Sequence, residues 1–382
     1  MGLSTAASSG AQRAAPAGFI TLLDGFREKL DGELAAWLAH KRSAAGGFRE
    51  ALELIDGVGE LVLHGGKRLR PALVYYTYRA CGGPADSAVL PLALATELLH
   101  TYLLIHDDIM DHAEVRRGQP AAHVRFRRSH EARGFHGDAQ DFGRSVAILL
   151  GDLSHTWAVE LFTGAALDGP RARDLKRCFA TMSEEVIGGQ YLELLVAQRR
   201  GAPATPADNR SVDRETELRR VLRLKSGRYT AERPIQLGAL LAGAGEAEIA
   251  ALSRYGAAVG EAFQLQDDLL GMFGDAETVG KPVGEDLREG KFTFLIHHAL
   301  AAASPADRRT LEAALGNPEL TAGEVSDVRH ILEESGARAR VEAMIAERLR
   351  DARAALDGAP PLAAEGRTFL AGLIGYLRER ER

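Results

Sequence analysis

The segment from residue 88 to residue 112 constrains the fold more than any other part of the chain. Between residues 89 and 105 it is apolar on nearly every side, and it then carries three carboxylates, Asp107, Asp108 and Asp111. A helix that is apolar all round must be enclosed by other elements. The segment therefore predicts a long helix in the middle of a helical bundle, with acidic residues at its C-terminal end.

The rest of the chain also has the pattern of helices. Apolar residues recur at intervals of three and four, whereas strict alternation is scarce. A second long helix is expected over residues 246–275, where Gly256 and Gly260 indicate close packing against a neighbour. The interpretation is an all-α protein, with residues 1–17 as a flexible N-terminal tail and residues 18–382 as a single domain. The expected loops are 82–87, 164–170, 200–212, 276–290 and 303–306.

Composition argues against several kinds of protein. Of the 382 residues, 46% are hydrophobic, which allows a sizeable core, and the net charge of −6 argues against nucleic-acid binding. Cys81 and Cys178 are far apart and lack the spacing of metal ligands, which favours a reducing, cytoplasmic location. Neither a secretory signal at the N-terminus nor a membrane-spanning segment is expected.

Two clusters of carboxylates indicate a metal site. Asp107 and Asp111 are four residues apart, so on a helix they lie on one face, with Asp108 beside them. A second apolar segment ends in Asp267 and Asp268. Mg²⁺ binds through one or two carboxylates together with waters and phosphate oxygens. One cluster alone would more simply be a solvated helix end, but two predict Mg²⁺ between facing helices.

Basic residues in short motifs supply the complementary charge. Arginine and lysine side chains are the groups that bind phosphate oxygens. Each motif alone would be a solvated surface feature, but together with the carboxylates they predict a diphosphate site. The positions are Lys67 and Arg70, Arg116 and Arg117, Lys225 next to Ser226, and Lys281 with Lys291.

Taken together, the motifs resemble those of the trans-isoprenyl diphosphate synthase family, and most closely the bacterial geranylgeranyl diphosphate synthases. They occur in the family's order over roughly residues 55–300. The resemblance implies an all-α terpenoid-synthase helical bundle around a central cavity, usually a homodimer, that joins isopentenyl diphosphate head-to-tail to an allylic diphosphate. The matching sequences are GGKRLRP at 65–71, DDIMD at 107–111, RRGQP at 116–120, GQ at 189–190, KS at 225–226, FQ at 263–264 and the second aspartate motif from Asp267.

The resemblance also implies roles for individual residues. The catalytic set would be Asp107, Asp108, Asp111, Asp267, Asp268 and Lys225. About three Mg²⁺ ions would be held, with phosphate, by Asp107, Asp111 and Asp267. The allylic diphosphate would be bound by Arg116, Lys225, Ser226, Gln264 and Lys281. Isopentenyl diphosphate would be bound by Lys67, Arg70, His100 and Arg117. Without the resemblance, His100 would be interpreted as a buried histidine with its hydrogen bonds satisfied.

Product length is expected to depend on the residues just before the first aspartates. Tyr102, five residues before Asp107, would form the floor of the product pocket, and the non-aromatic Leu103 argues against stopping at farnesyl. This pattern favours geranylgeranyl diphosphate. The alternatives are a farnesyl or a longer polyprenyl product, with Tyr102 serving only as core packing.

Two other kinds of protein share parts of the pattern. A terpene cyclase or a head-to-head synthase is not expected to combine GGKRLRP with the second aspartate motif. A non-catalytic partner subunit of another synthase is expected to lack one aspartate motif, and both are present. Residues 124–145 are longer than the usual connection and are predicted to be a solvated loop near the mouth of the site.

Overall fold

The structure, a computed structural model, describes residues 17–84, 86–165, 171–199, 213–274 and 283–379. These residues are almost entirely helical, which confirms the all-α class. A two-stranded hairpin, β1 (Val115–Arg116) with β2 (Gln119–Pro120), follows α4, and a π-helical segment, Leu222–Glu232, lies between α8 and α9. The helices are α1 (Ala17–Ala44), α2 (Arg49–Leu63), α3 (Leu69–Ala80), α4 (Asp86–Met110), α5 (Ala122–Ala132), α6 (Ala139–Gly164), α7 (Ala172–Gln198), α8 (Arg214–Val221), α9 (Arg233–Leu241), α10 (Glu246–Phe273), α11 (Glu285–Arg288), α12 (Phe294–Ala302), α13 (Pro305–Ala314), α14 (Ala322–Glu334), α15 (Ala337–Asp357) and α16 (Ala364–Glu379).

Helix α4 is the buried central helix that the sequence predicts. Leu92, Leu98 and Leu99 are fully buried, and Ser154 Oγ of α6 donates to the carbonyl of Leu98 at 2.8 Å. By length and composition α4 could cross a membrane, contrary to the expectation that no segment would reach that threshold. However, 61% of its apolar window is buried inside the protein, so packing in the core explains its composition.

The second predicted helix is α10, and its glycines mark a close contact with the π-helical segment. A Cβ at Gly260 would lie 2.2 Å from the Gly227 carbonyl oxygen, and a Cβ at Gly256 would lie 2.7 Å from an α-carbon of the same segment. Helix α7 approaches from another direction, where a Cβ at Gly189 would lie 2.5 Å from the Lys225 nitrogen. Because glycine has no Cβ, it permits these approaches, and the segment is held between α7 and α10.

The prediction of a solvated loop over residues 124–145 is wrong. Most of this stretch belongs to α5 and α6, joined by a short connection. The buried face of α5 contains Phe126, but also His123 and His130, which are 7% and 4% exposed. Two of the inward-facing side chains are therefore histidines, and arginines lie next to them in the sequence. A helix face of this composition cannot be recognised from the periodicity of apolar residues.

The remaining loop predictions are correct only in part. Helix α4 begins at Asp86, inside the predicted loop 82–87, while α13 begins at Pro305 and α11 lies within the predicted loop 276–290. The tail and loops predicted elsewhere stay predictions, as does the single-domain organisation. The parts of the chain that lie outside the described residues are 1–16, position 85, 166–170, 200–212, 275–282 and 380–382.

Candidate active site

The first three carboxylates lie where α4 ends. Asp107 and Asp108 are on its last turn, and the Asp111 amide continues the helical pattern by donating to the Asp107 carbonyl at 2.8 Å. Carboxylates at this end of a helix oppose the helix dipole, so nearby cations stabilise them. Asp107 Oδ1 lies 3.7 Å from Lys225 Nζ in the π-helical segment.

Arg116 supplies the cation for Asp108. The β1–β2 hairpin brings Arg116 back over the end of α4, where its Nε donates to Asp108 Oδ1 at 2.7 Å. Asp108 is only 2% exposed. Burial alone would lower the pKa of Arg116, but the Asp108 carboxylate outweighs burial and raises that pKa above its ordinary value. This pair fixes the hairpin against the helix that carries the first aspartate motif.

Lys225 lies between carboxylates from two helices. Its Nζ donates to Glu193 of α7 and faces Asp107 of α4. Burial opposes the charge on Lys225, but Glu193 and Asp107 outweigh it and raise the pKa. Glu193 was not predicted from the sequence. Glu193 follows Gly189 by four residues and Gln190 by three, which places it on the same face of the helix as this pair. That spacing could have revealed it.

The second carboxylate cluster is part of a chain of hydrogen bonds. Ser226 Oγ donates to Gln264 Oε1 at 2.6 Å, Gln264 Nε2 donates to Asp268 Oδ1 at 2.8 Å, and Lys291 Nζ donates to the same oxygen at 2.8 Å. Burial raises the pKa of Asp268, although Lys291 and Gln264 act in the opposite direction. The chain joins the π-helical segment, α10 and the loop after α11.

Lys291 also contacts the carboxylate of Asp286, which was not predicted. Its Nζ lies 3.6 Å from Asp286 of α11. Burial opposes the charge on Lys291, but Asp268 and Asp286 raise its pKa well above the ordinary value. Asp267, which precedes Asp268 on α10, is half-buried. The predicted diphosphate ligand Lys281 lies outside the described residues.

A separate cationic region contains the residues predicted to bind isopentenyl diphosphate. Arg70 Nη1 lies 3.2 Å from His100 Nε2, and Arg70 Nη2 donates to Thr230 Oγ1 at 2.9 Å. Because a guanidinium only donates, His100 accepts at Nε2 and donates from Nδ1 to the Tyr229 hydroxyl at 3.2 Å. Burial, reinforced by the charge of Arg70, lowers the pKa of His100 well below its usual value, so the imidazole is neutral. Tyr229 and Thr230 were not predicted.

The other two predicted residues of this region, Lys67 and Arg117, lie in or beside the loop between α2 and α3. Arg117 Nη1 donates to the Gly65 carbonyl at 2.7 Å. Lys67, from the same loop as Gly65, places its Nζ 5.9 Å from the ring centroid of Phe263. The structure thus links Arg70 with His100, and Arg117 with the loop that contains Lys67, through contacts other than those of Lys225 and Lys291.

The two predicted chain-length residues are half-buried on α4. The Tyr102 ring lies 4.8 Å from the ring of His106 and 5.0 Å from that of His155 on α6, centroid to centroid. Leu103 packs against the hydrophobic core. His155 is a neighbour that spacing along the chain could not indicate.

Among the described residues, no three Asp, Glu, His or Cys side chains lie close enough together to form a metal site by themselves. Mg²⁺ often binds through one or two carboxylates and completes its coordination with waters and phosphates. The oxygen donors of Asp107, Asp111 and Asp267 have the chemistry for such a site. They would hold the ion together with a phosphate-bearing ligand rather than as a closed protein cage.

Comparison with known proteins agrees with this arrangement. Residues 53–334 match the polyprenyl synthetase family. The chain is 34% identical to a geranylfarnesyl diphosphate synthase of Aeropyrum pernix, covering 84% of this chain and 92% of the relative. It is also 34% identical to a geranylgeranyl diphosphate synthase of Mycobacterium tuberculosis, covering 77% of this chain and 75% of the relative.

A solved structure extends the similarity to the fold. Geranylgeranyl pyrophosphate synthase from Corynebacterium glutamicum, complexed with isoprenyl diphosphate and magnesium, superposes with a TM-score of 0.86 at 33% identity, covering 94% of this chain and 99% of that one. The family match spans both aspartate clusters and the cationic loop. The chain therefore belongs to the polyprenyl synthetase family and is a prenyltransferase.

Proposed function

We propose that the protein is a Mg²⁺-dependent synthase that condenses isopentenyl diphosphate head-to-tail with an allylic diphosphate, with geranylgeranyl diphosphate as its main product. The observation that carries the proposal is the separation of two cationic regions. One contains Lys225 and Lys291, each paired with carboxylates. The other consists of Arg70 of α3 and His100 of α4, whose hydrogen bonds go to each other and to Thr230 and Tyr229. Two diphosphate substrates need two such regions.

Metal binding is proposed for Asp107, Asp111 and Asp267. Asp108 and Asp268 are buried, at 2% and 7% exposed, and hydrogen-bonded to Arg116 and Lys291, so we assign them to supporting the ligands. Mg²⁺, when bound, would supply positive charge to the leaving diphosphate. Support comes from the similar C. glutamicum enzyme, which is complexed with magnesium, and about three ions are proposed by family resemblance.

Lys225, Ser226 and Gln264 are proposed to bind the allylic diphosphate, with Arg116 and the undescribed Lys281. Breaking the allylic C–O bond places negative charge on the departing diphosphate, and a fixed ammonium such as Lys225 Nζ stabilises that charge. The allylic cation would react with water, so the tail pocket must be dry. Leu61, Leu104 and Ile105 line a cavity together with Asp108 and Arg116, which supports such a pocket. Isopentenyl diphosphate is assigned to Lys67, Arg70, His100 and Arg117.

A homodimer is proposed from an exposed apolar surface. Ile148 and Leu149 of α6 are 46% and 55% exposed, and Ile187, Tyr191 and Leu194 of α7 are 51%, 63% and 38% exposed. Large exposed apolar side chains grouped on a helix in this way commonly mark an interface between proteins. Sedimentation of the wild-type protein and of a Leu149→Glu variant would test this, with a shift from dimer to monomer expected in the variant. A cytoplasmic location is proposed from the reduced cysteines, Cys81 and Cys178.

The deciding experiment incubates the protein with Mg²⁺, isopentenyl diphosphate and each allylic primer in turn, and then sizes the dephosphorylated products. Geranylgeraniol is the expected main product. Farnesol alone, or a longer alcohol, would change the assigned product length but not the assignment of prenyl transfer. The similarity to a geranylfarnesyl diphosphate synthase makes a longer product a specific alternative. If no primer is elongated, the proposal of a catalytic synthase fails and that of a non-catalytic partner subunit takes its place.

A further inference from the structure

The loop between α2 and α3 has an unusual backbone. Gly65 and Gly66 have φ angles of 69° and 118°, and Arg68, which is not a glycine, has a φ of 51°. A side-chain-bearing residue rarely adopts this left-handed conformation, and it persists where surrounding contacts enforce it. The loop contains Lys67 and leads directly to Arg70, two of the residues assigned to isopentenyl diphosphate.

The contacts that enforce the conformation come from the Arg68 side chain, which has no exposed surface. Its Nη1 donates to Glu97 Oε1 at 2.6 Å, its Nε donates to Asp31 Oδ1 at 2.9 Å, and its Nη2 donates to the Val62 carbonyl at 2.5 Å. Glu97 is itself only 2% exposed. A buried guanidinium is stable only when paired and hydrogen-bonded in this way, so the four groups form one unit.

The unit connects the loop to the helix that carries the next substrate-binding residue. Glu97 lies on α4 three residues before His100, so the two side chains lie one helical turn apart. Arg70 Nη1 in turn lies 3.2 Å from His100 Nε2. Arg68 therefore fixes the loop to the same part of α4 against which Arg70 is oriented.

A second contact restrains the loop from the opposite end. Arg117 Nη1 donates to the Gly65 carbonyl, and a Cβ at Gly66 would lie 2.8 Å from Arg117 Nη2. The Glu97 carboxylate also partly offsets the mutual repulsion of Arg68 and Arg117. Without such a counter-charge, several cations gathered for one diphosphate would repel each other before the substrate binds.

We propose that Arg68, acting through its buried pair with Glu97, is a positioning residue for isopentenyl diphosphate. Arg68 does not touch the substrate. It holds Lys67 and Arg70 in the arrangement that binds the diphosphate. Substrate binding then does not have to order the loop, which would weaken the affinity. The inference rests on the proposed function and adds a residue pair that acts on one of the two substrates only.

The test compares variants by steady-state kinetics, with each substrate varied separately, and by thermal unfolding. The double variant Arg68→Met with Glu97→Leu removes both buried charges, which avoids leaving either unpaired. Glu97→Gln keeps an acceptor of the same shape and serves if the double variant does not fold. Arg68→Lys keeps the charge but cannot form the fork of hydrogen bonds. The matched control is Arg79→Met, because Arg79 is also on α3 but pairs with Glu365 at the surface.

In the double variant we expect the KM for isopentenyl diphosphate to rise about tenfold or more, the KM for the allylic substrate to stay within about twofold, and kcat to fall less than about threefold. Glu97→Gln and Arg68→Lys should raise the same KM about threefold, and Arg79→Met should change neither KM. Direct titration with isopentenyl diphosphate should show the same order of affinities.

Equal changes in both KM values, or an unchanged KM for isopentenyl diphosphate in a folded Arg68 or Glu97 variant, would overturn the positioning role. A wild-type protein that elongates no primer would refute the proposed function instead. An active wild-type protein whose folded variants all retain the original KM for isopentenyl diphosphate would refute the positioning role alone.

Discussion

Lys225 Nζ lies 3.7 Å from Asp107 Oδ1 and donates a hydrogen bond to Glu193, so one ammonium group connects three different helical elements. Its backbone nitrogen is in a π-helical segment, and such segments are frequent at functional sites. The close approach of Gly189 to this nitrogen fixes the backbone from which the side chain extends. The cation is therefore in place before any diphosphate binds.

Replacing Lys225 by Met should remove charge stabilisation from the departing diphosphate. We expect kcat to fall about a hundredfold or more, because preorganised charge of this kind contributes mainly in the transition state. Lys176→Met, at an exposed position on the same helix as Glu193, is the control and should keep wild-type kcat. Single-turnover rates with a geranyl or farnesyl primer measure the effect, and an unchanged rate in Lys225→Met would contradict the role.

The two neighbouring aspartates of the first cluster should respond differently to loss of charge. Asp107→Asn should raise the Mg²⁺ concentration for half-maximal activity by about tenfold or more, because it removes a proposed ligand. Asp108→Asn should lower the free energy of unfolding by about 2–3 kcal/mol, because it leaves Arg116 without its counter-charge.

Metal titration of activity and denaturant unfolding separate these two effects. Asp327→Asn, at an exposed position on α14, is the control for both measurements. Equal effects of the Asp107 and Asp108 substitutions on the Mg²⁺ requirement would argue against the division of roles between ligand and support.

His298 on α12 should make stability depend on pH. Burial, with the neighbouring His297, lowers the pKa of His298 to about 4 from an ordinary value of 6.5. Because the unfolded chain binds the proton more readily, the contribution to stability is present above pH 6.5 and is lost as pH falls toward 4. By pH 5 the loss should amount to about 1–2 kcal/mol. His298→Gln should show a shallower decline in unfolding free energy between pH 7 and pH 5, and a slope equal to that of the wild type would contradict the assignment.

Local patterns in the sequence predicted the central helix and both aspartate clusters, because periodicity and spacing are properties of neighbouring residues. Contacts between distant parts of the chain were not predictable in this way. The pairing of Arg68 with Glu97 joins residues 29 positions apart and depends on how α3 packs on α4. The π-helical segment around Lys225 likewise has no signal of its own in the sequence, and its close packing against Gly189 joins residues that are distant along the chain.

Tyr102 and Leu103 should control product length in opposite directions. Tyr102 lies against His106 and against His155 of α6, so its ring fills space between the two helices. If that ring is the pocket floor, Tyr102→Ala should lengthen the main product by at least one isoprene unit, and Leu103→Phe should shorten it toward farnesyl. Phe48→Ala, at a position that is 63% exposed, is the control and should leave the product unchanged. Sizing of the dephosphorylated alcohols distinguishes the outcomes, since an unchanged distribution in Tyr102→Ala together with lower thermal stability would assign the ring to core packing alone.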